Sequence, residues 1–149
     1  MKVLVDTREN RPYQFPDWSC VKLNVGDYTV DGLQDRIALE RKTHDDLYLC
    51  LGVQRKHFLS QLARLRKIEH RALIVDTTPD LILLGHFYSG IPGGVALGRL
   101  MQLSIKYSVP VLFAGKTAGA KLAFLFLAHT SVQCGAPVYD PEPVSANAE

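Results

Sequence analysis

Glu40, Arg41, Lys42 and Asp46 fall in one short stretch, and their types suit hydrolysis of a phosphodiester. Side chains of an extended strand alternate between faces, so Glu40 and Lys42 point the same way and set a metal-binding carboxylate beside an ammonium group. Upstream, Asp27 stands in Val25-Gly26-Asp27-Tyr28, and the intervening Asp31-Gly32-Leu33-Gln34-Asp35 is polar and turn-prone, as a hairpin loop should be. A loop centred between Leu33 and Gln34 sets Asp27 opposite Glu40, Tyr28 opposite Leu39 and Val30 opposite Ile37. Opposed residues share a face, so this pairing buries Tyr28, Val30, Ile37 and Leu39 together and leaves Asp27, Glu40 and Lys42 on the other side. Two carboxylates at such range repel unless a divalent cation lies between them. An all-oxygen pair with open positions suits Mg2+, with Mn2+ able to substitute.

Gly26-Asp27, then Glu40-Arg41-Lys42 with Asp46 beyond the lysine, resembles the signature of XPF-type structure-specific endonucleases. Val5-Asp6-Thr7-Arg8-Glu9 is similar to the strand that opens the nuclease domain of that family. The resemblance implies the restriction-endonuclease-like, PD-(D/E)XK fold, an α/β domain with a central mixed sheet flanked by helices. It implies a Mg2+-dependent DNA endonuclease acting on branched DNA or single-strand/double-strand junctions. Well-known members add helix-hairpin-helix modules or a helicase part, for which 149 residues leave no room, so substrate choice falls to dimerisation, a protein partner or the tail. A junction resolvase or sequence-specific nuclease would share the same site. A catalytically silent DNA-binding subunit is a further alternative, against which the intact Asp27, Glu40 and Lys42 argue.

Within that frame Asp27 and Glu40 are the expected metal ligands, and Lys42 orients the attacking water or neutralises the phosphate. Arg41 should face away from them on a regular strand; the resemblance gives it a part, as an ion pair, for instance with Asp46, or as a phosphate contact. Asp46 has two readings, since Thr43-x-x-Asp46 resembles a capping box at a helix start. At the end of the first strand, Asp6 is a candidate third metal ligand, Arg8 a contact to a non-bridging phosphate oxygen, and Glu9 peripheral. His44, at the start of a helix, reads as solvated.

The elements that must hold these groups read as strands near 2–6, 20–25, 27–30, 36–42, 72–76 and 109–113, with helices near 44–51, 55–69, 94–107 and 117–129. Such interleaving is α/β. Leu73-Ile74-Val75 and Val109-Pro110-Val111-Leu112-Phe113 are continuous apolar runs, as buried strands are. From Arg55 to Arg71 basic residues accumulate while Phe58, Leu62 and Leu65 recur at helical spacing. This basic amphipathic segment nominates Arg55, Lys56, Arg64, Lys67 and Arg71 for contact with a phosphate backbone.

A formal net charge of +2 is too small to imply nucleic-acid binding by itself, and 47% hydrophobic composition over 149 residues supports one domain, expected over 1–130. No stretch is long and uniform enough for a signal peptide or membrane helix, which points to an intracellular protein. Cys20, Cys50 and Cys134 lack zinc-site spacing and read as free buried thiols. Lys121 to Leu127 is apolar on nearly every face, so that helix is either sandwiched in the core or shared in a homodimer. Residues 131–149, with Pro137, Pro141 and Pro143, read as a flexible tail. Gly115-Lys116-Thr117 mimics a phosphate-binding loop, but Pro110 stands where its first glycine is needed, so Lys116-Thr117 reads as a helix start. Ser89 to Gly94 reads as a flexible turn.

Overall fold

The computed structural model describes residues 1–139, and a six-stranded sheet organises them. Its strands are β1 (Val3–Asp6), β2 (Trp18–Val21), β3 (Tyr28–Val30), β4 (Ile37–Thr43), β5 (His70–Asp76) and β6 (Val111–Phe113), in the spatial order β2-β1-β3-β4-β5-β6. β3 runs antiparallel to both its neighbours, and the other pairs are parallel. The C-terminal ends of β1, β4 and β5 therefore meet the N-terminal end of β3 at one edge. There the strands release Asp6, Asp27, Glu40 to Thr43, and Asp76.

The expected hairpin is present, with Tyr28 opposite Leu39. Tyr28, Val30, Ile37 and Leu39 are all buried, and they pack with Val3, Val5, Ala72 and Ile74 beneath α5 (Gly119–Gln133). The other face carries Ala38, Leu73 and Val75, covered by α1 (His44–Leu51), α2 (Arg55–Leu65), α3 (Pro79–Leu83) and α4 (Gly93–Tyr107). Phe58, Leu62 and Leu65, the stripe legible in the sequence, are the residues α2 buries. Alternation along β4 thus sends Glu40 and Lys42 toward α1 and α2, and Arg41 toward the α5 side.

Several expectations need correction. The strand expected over 20–25 runs from Trp18 to Val21 instead, because both backbone groups of Leu23 bond to side chains: its N–H to Asp6 Oδ2 at 2.7 Å and its carbonyl to Arg8 at 3.0 Å. α2 stops at Leu65 rather than 69, where tighter turns drop Ile68 into the core ahead of β5. The run at 109–113 is not a buried central strand; β6 lies at the sheet edge with Val111, Leu112 and Phe113 half-buried, and Pro110, lacking an N–H, contributes only its carbonyl, to Leu73. α5 begins at Gly119, two residues beyond Thr117, and continues through Gln133, past the helix end expected at 129. α3, a five-residue helix capped by Thr78, was not legible in the sequence.

Of the three free thiols only Cys50 is buried, while Cys20 is exposed on the edge strand β2. α5 is neither fully sandwiched nor bare: Gly119, Ala123, Leu127, Ala128 and Ser131 are buried against the sheet, and Leu122, Phe124, Leu125 and Phe126 stay half-exposed. Of the expected tail, residues 140–149 lie outside the described residues. Among the described residues no helix is long and apolar enough to cross a membrane.

Candidate active site

The edge that gathers the strand ends opens into a cavity of about 260 Å³ lined by Asp27, Glu40, Lys42, Asp46, Arg8, Glu9 and the α2 residues His57, Gln61 and Arg64. Gly26 makes the entry of Asp27 possible. Its φ of +76° lies where side chains are strained, and a Cβ there would stand 3.2 Å from both Ala38 Cβ and the Leu39 carbonyl oxygen. The Asp27 backbone is then clamped between strands, donating to Leu39 O at 2.9 Å and accepting from Asp6 N at 2.8 Å. One carboxylate oxygen, Oδ2, accepts the Arg41 amide at 2.8 Å.

Glu40 is 6% exposed, and its Oε1 lies 3.0 Å from Lys42 Nζ. Burial alone would lower the Lys42 pKa, but the surrounding acidic groups, Glu40 foremost, together outweigh it and hold the ammonium charged. For Asp27 the balance goes the other way. Burial first, and the facing Glu40 second, push its pKa from 3.8 up to about 8. A carboxyl kept protonated only for want of a counter-charge fits a cation site. Gln61 lines the same cavity, and its Oε1 is buried without a hydrogen-bond partner among the described residues. Two carboxylates and an orphaned amide oxygen are hard donors, and they fit Mg2+ or Mn2+ better than a soft metal.

Asp6 does not join this donor set. It is 1% exposed, and its oxygens are taken by the Arg8 amide (2.9 Å), Arg8 Nε (2.6 Å), Arg8 Nη2 (3.1 Å) and the Leu23 amide (2.7 Å). Burial raises its pKa, but these bonds, with Arg8 foremost, bring it below the ordinary value. Asp6 is the anchor of Arg8, whose side chain remains 67% exposed at the cavity mouth.

Arg41 faces the opposite side, as strand alternation requires, and its partner is not Asp46. Its Nη2 and Nε reach Asp76 Oδ2 at 2.8 and 3.0 Å, its Nη1 reaches Glu9 and the Arg11 carbonyl, and its guanidinium lies 3.9 Å over the Tyr13 ring. Tyr13 donates its hydroxyl to Asp76 and stacks on Tyr28, which donates to Glu9 at 2.8 Å. Burial disfavours the Arg41 charge, yet the bonds to Asp76 and Tyr28 raise its pKa above the usual guanidinium value. Glu9 is therefore no bystander: it joins this buttress at the edge of the cavity. Asp46 combines both readings, its amide donating to the Thr43 cap at 3.1 Å while its side chain lines the cavity. His44 turns away to Thr77, 2.8 Å from Nδ1 to Oγ1.

Of the five basic residues expected to contact phosphate, Arg64 lines the cavity, whereas Arg55, Lys56 and Lys67 lie elsewhere on or just after α2. Arg71 is corrected. It lies in β5, at the sheet end opposite the cavity, and its guanidinium is spent on the carbonyls of Ser108 and Ile68 at 2.8 Å each. His57 and Gln61 went unread in the sequence, although with Arg64 they recur at helical spacing one residue ahead of the apolar stripe.

The model of the ERCC4 domain family matches residues 5–120. Among solved structures, XPF from Aeropyrum pernix superposes with a TM-score of 0.67 at 25% identity, covering 89% of this chain and 66% of that one. XPF from Aeropyrum pernix in complex with DNA gives 0.66 at 24% identity with the same coverage. This chain thus spans just under two thirds of the length of those structures. No curated protein sequence matches it. With the sheet order, the cavity and these matches in agreement, the chain belongs to the ERCC4 domain family and has the fold of an XPF-type nuclease domain.

Proposed function

We propose that this protein is a divalent-metal-dependent DNA endonuclease, using Mg2+ with Mn2+ as substitute, that hydrolyses phosphodiester bonds at branched or single-strand/double-strand junction DNA. The observation that carries the reading is the convergence of Asp27, Glu40 and Lys42 in one polar cavity at the strand ends. Asp27 and Glu40, with the orphaned oxygen of Gln61, would hold the cation. Such a cation supplies Lewis acidity toward the scissile phosphate and makes water more acidic at neutral pH.

The remaining steps belong to the chain itself. Lys42, kept charged by Glu40, has further N–H bonds to offer a non-bridging phosphate oxygen or the attacking water. Arg8, held by Asp6, presents a guanidinium at the mouth, and Arg64 adds positive charge from the helical wall, so the phosphate backbone meets cations on two sides. Arg41 works at one remove. Its amide fixes Asp27, and its side chain ties β4 to β5 through Asp76. Action on DNA implies an intracellular protein, and a homodimer formed through the outer side of α5 and a partner protein contributing to substrate recognition are part of the same reading.

The test is cleavage of labelled duplex, single-stranded, flap, fork and four-way-junction DNA with Mg2+, Mn2+ or EDTA, beside Asp27→Ala and Glu40→Ala. Metal-dependent cutting abolished by both substitutions supports the nuclease. Well-folded wild type that binds DNA without cutting it would make the domain a silent subunit.

A further inference from the structure

We propose that Glu69, His70 and Cys134 form a second metal site, taking a Zn2+-type borderline cation, at the end of the sheet away from the cavity. One ligand atom from each residue lies within 4.8 Å of the others. Glu69 immediately precedes β5 and His70 opens it, while Cys134 caps the C-terminal end of α5, so only the fold brings the thiol to the other two. In the β4–β5 register His70 stands beside Ile37 and Val75 beside Lys42, which separates this cluster from the catalytic residues by most of the length of β4.

The independent sign of a missing ligand is His70. Its Nε2 is buried, lies 3.5 Å from Glu69 Oε1, and has no hydrogen-bond partner among the described residues. A buried imidazole nitrogen left so is costly, and a cation accepting its lone pair removes that cost. Glu69 has the complementary arrangement. Arg36 Nη2 takes Oε2 at 2.7 Å, orienting the carboxylate and leaving Oε1 toward His70. Thiolate, imidazole and carboxylate together select zinc over magnesium, whose preference is for oxygen alone. The thiolate and carboxylate carry two negative charges, which balance a dication, and a water completes the tetrahedron.

Binding releases the Cys134 thiol proton to solvent, so affinity rises with pH. The bound ion clamps the end of α5 onto the start of β5 and stabilises the domain by mass action. This role is independent of cleavage.

The experiment uses chelator-stripped full-length chain titrated with Co2+ in excess Mg2+, which keeps oxygen-only sites filled. Expected is a thiolate-to-cobalt charge-transfer absorption saturating at one equivalent, retained in Cys20→Ser, Cys50→Ser and Asp27→Ala and lost in Cys134→Ser. His70→Ala should weaken binding by about tenfold or more. Zn2+ should displace the cobalt and raise Tm in wild type but not in Cys134→Ser. No charge-transfer band, or a band that follows Cys20 or Cys50, overturns the proposal. If Cys134→Ser does not fold, Glu69→Gln at its exposed position decides: unchanged cobalt affinity in that variant overturns it equally.

Discussion

Lys42 Nζ lies 3.0 Å from Glu40 Oε1, and the two side chains are 13% and 8% exposed, so each is the other's main compensation for losing water. The same ammonium also favours the charged form of Asp27 through space, so one cation acts on both candidate ligands while touching only Glu40. Lys42→Met keeps the volume and removes the charge. We expect it to slow single-turnover cleavage by about 10²–10³-fold. A loss below tenfold would take Lys42 out of the chemistry.

Asp27 predicts a pH dependence. Its folded pKa of about 8 lies above the ordinary 3.8, so its contribution to stability is fully present below about pH 4 and is lost as pH rises through about 8. Without metal, Tm should therefore fall between about pH 4 and 8 more steeply in wild type than in Asp27→Asn, and the two slopes should converge above that. Mg2+ must displace the same proton, so its apparent affinity should rise over that window. Calorimetric scans with and without Mg2+ check both; identical pH slopes in wild type and Asp27→Asn would contradict the assignment.

Arg41 holds Asp76 and Glu9 with side-chain exposures of 15%, 19% and 20%. Removing it strands Asp76 beside the Tyr13 ring. Arg41→Met should cost about 3 kcal/mol of unfolding free energy, and Arg41→Met with Asp76→Asn less than the sum of the two singles. Denaturant titration of the four proteins measures the coupling, and strict additivity would remove the ion pair from the account.

Gly26→Ala tests whether the turn aims Asp27. A Cβ at φ +76° costs about 1–2 kcal/mol in backbone strain, and it also pushes on Ala38 and Leu39 at 3.2 Å. Cleavage should drop further than this modest loss of stability explains, through misplacement of Asp27. Unchanged activity in the folded variant would show that the turn tolerates a side chain.

Arg64 and Arg71 form a matched pair of controls. Arg64→Ala should weaken DNA binding and reduce the slope of log affinity against log salt by about 1. Arg71→Ala should leave both unchanged while lowering Tm, because its guanidinium bonds to the Ser108 and Ile68 carbonyls. Fluorescence anisotropy across a salt series separates the two outcomes.

The hairpin was legible because its signal is local. Period-2 alternation and a polar loop specify that Tyr28 meets Leu39, and the register then places Asp27, Glu40 and Lys42 on one face. The same locality exposed the apolar stripe of α2 and the cap at Thr43. Asp6 was misread because the sequence could not reveal that Leu23 would come to claim its second oxygen. Glu9 was read as peripheral and Asp76 went unread for a similar reason: their importance lies in a guanidinium that reaches them from another strand.

By itself, then, the sequence determined the α/β order of elements, the face shared by the two carboxylates and the lysine, and the family resemblance, all of which rest on alternation, spacing and turn chemistry among near neighbours. Only the tertiary structure decided that β1, β3, β4 and β5 end at one edge, that α2 brings Gln61 and Arg64 to it, and that Asp6 is an anchor instead of a ligand. It alone brought Cys134 to Glu69 and His70. Burial and long-range hydrogen bonds depend on which distant segments close over a group, and that is a property of the packed sheet and helices.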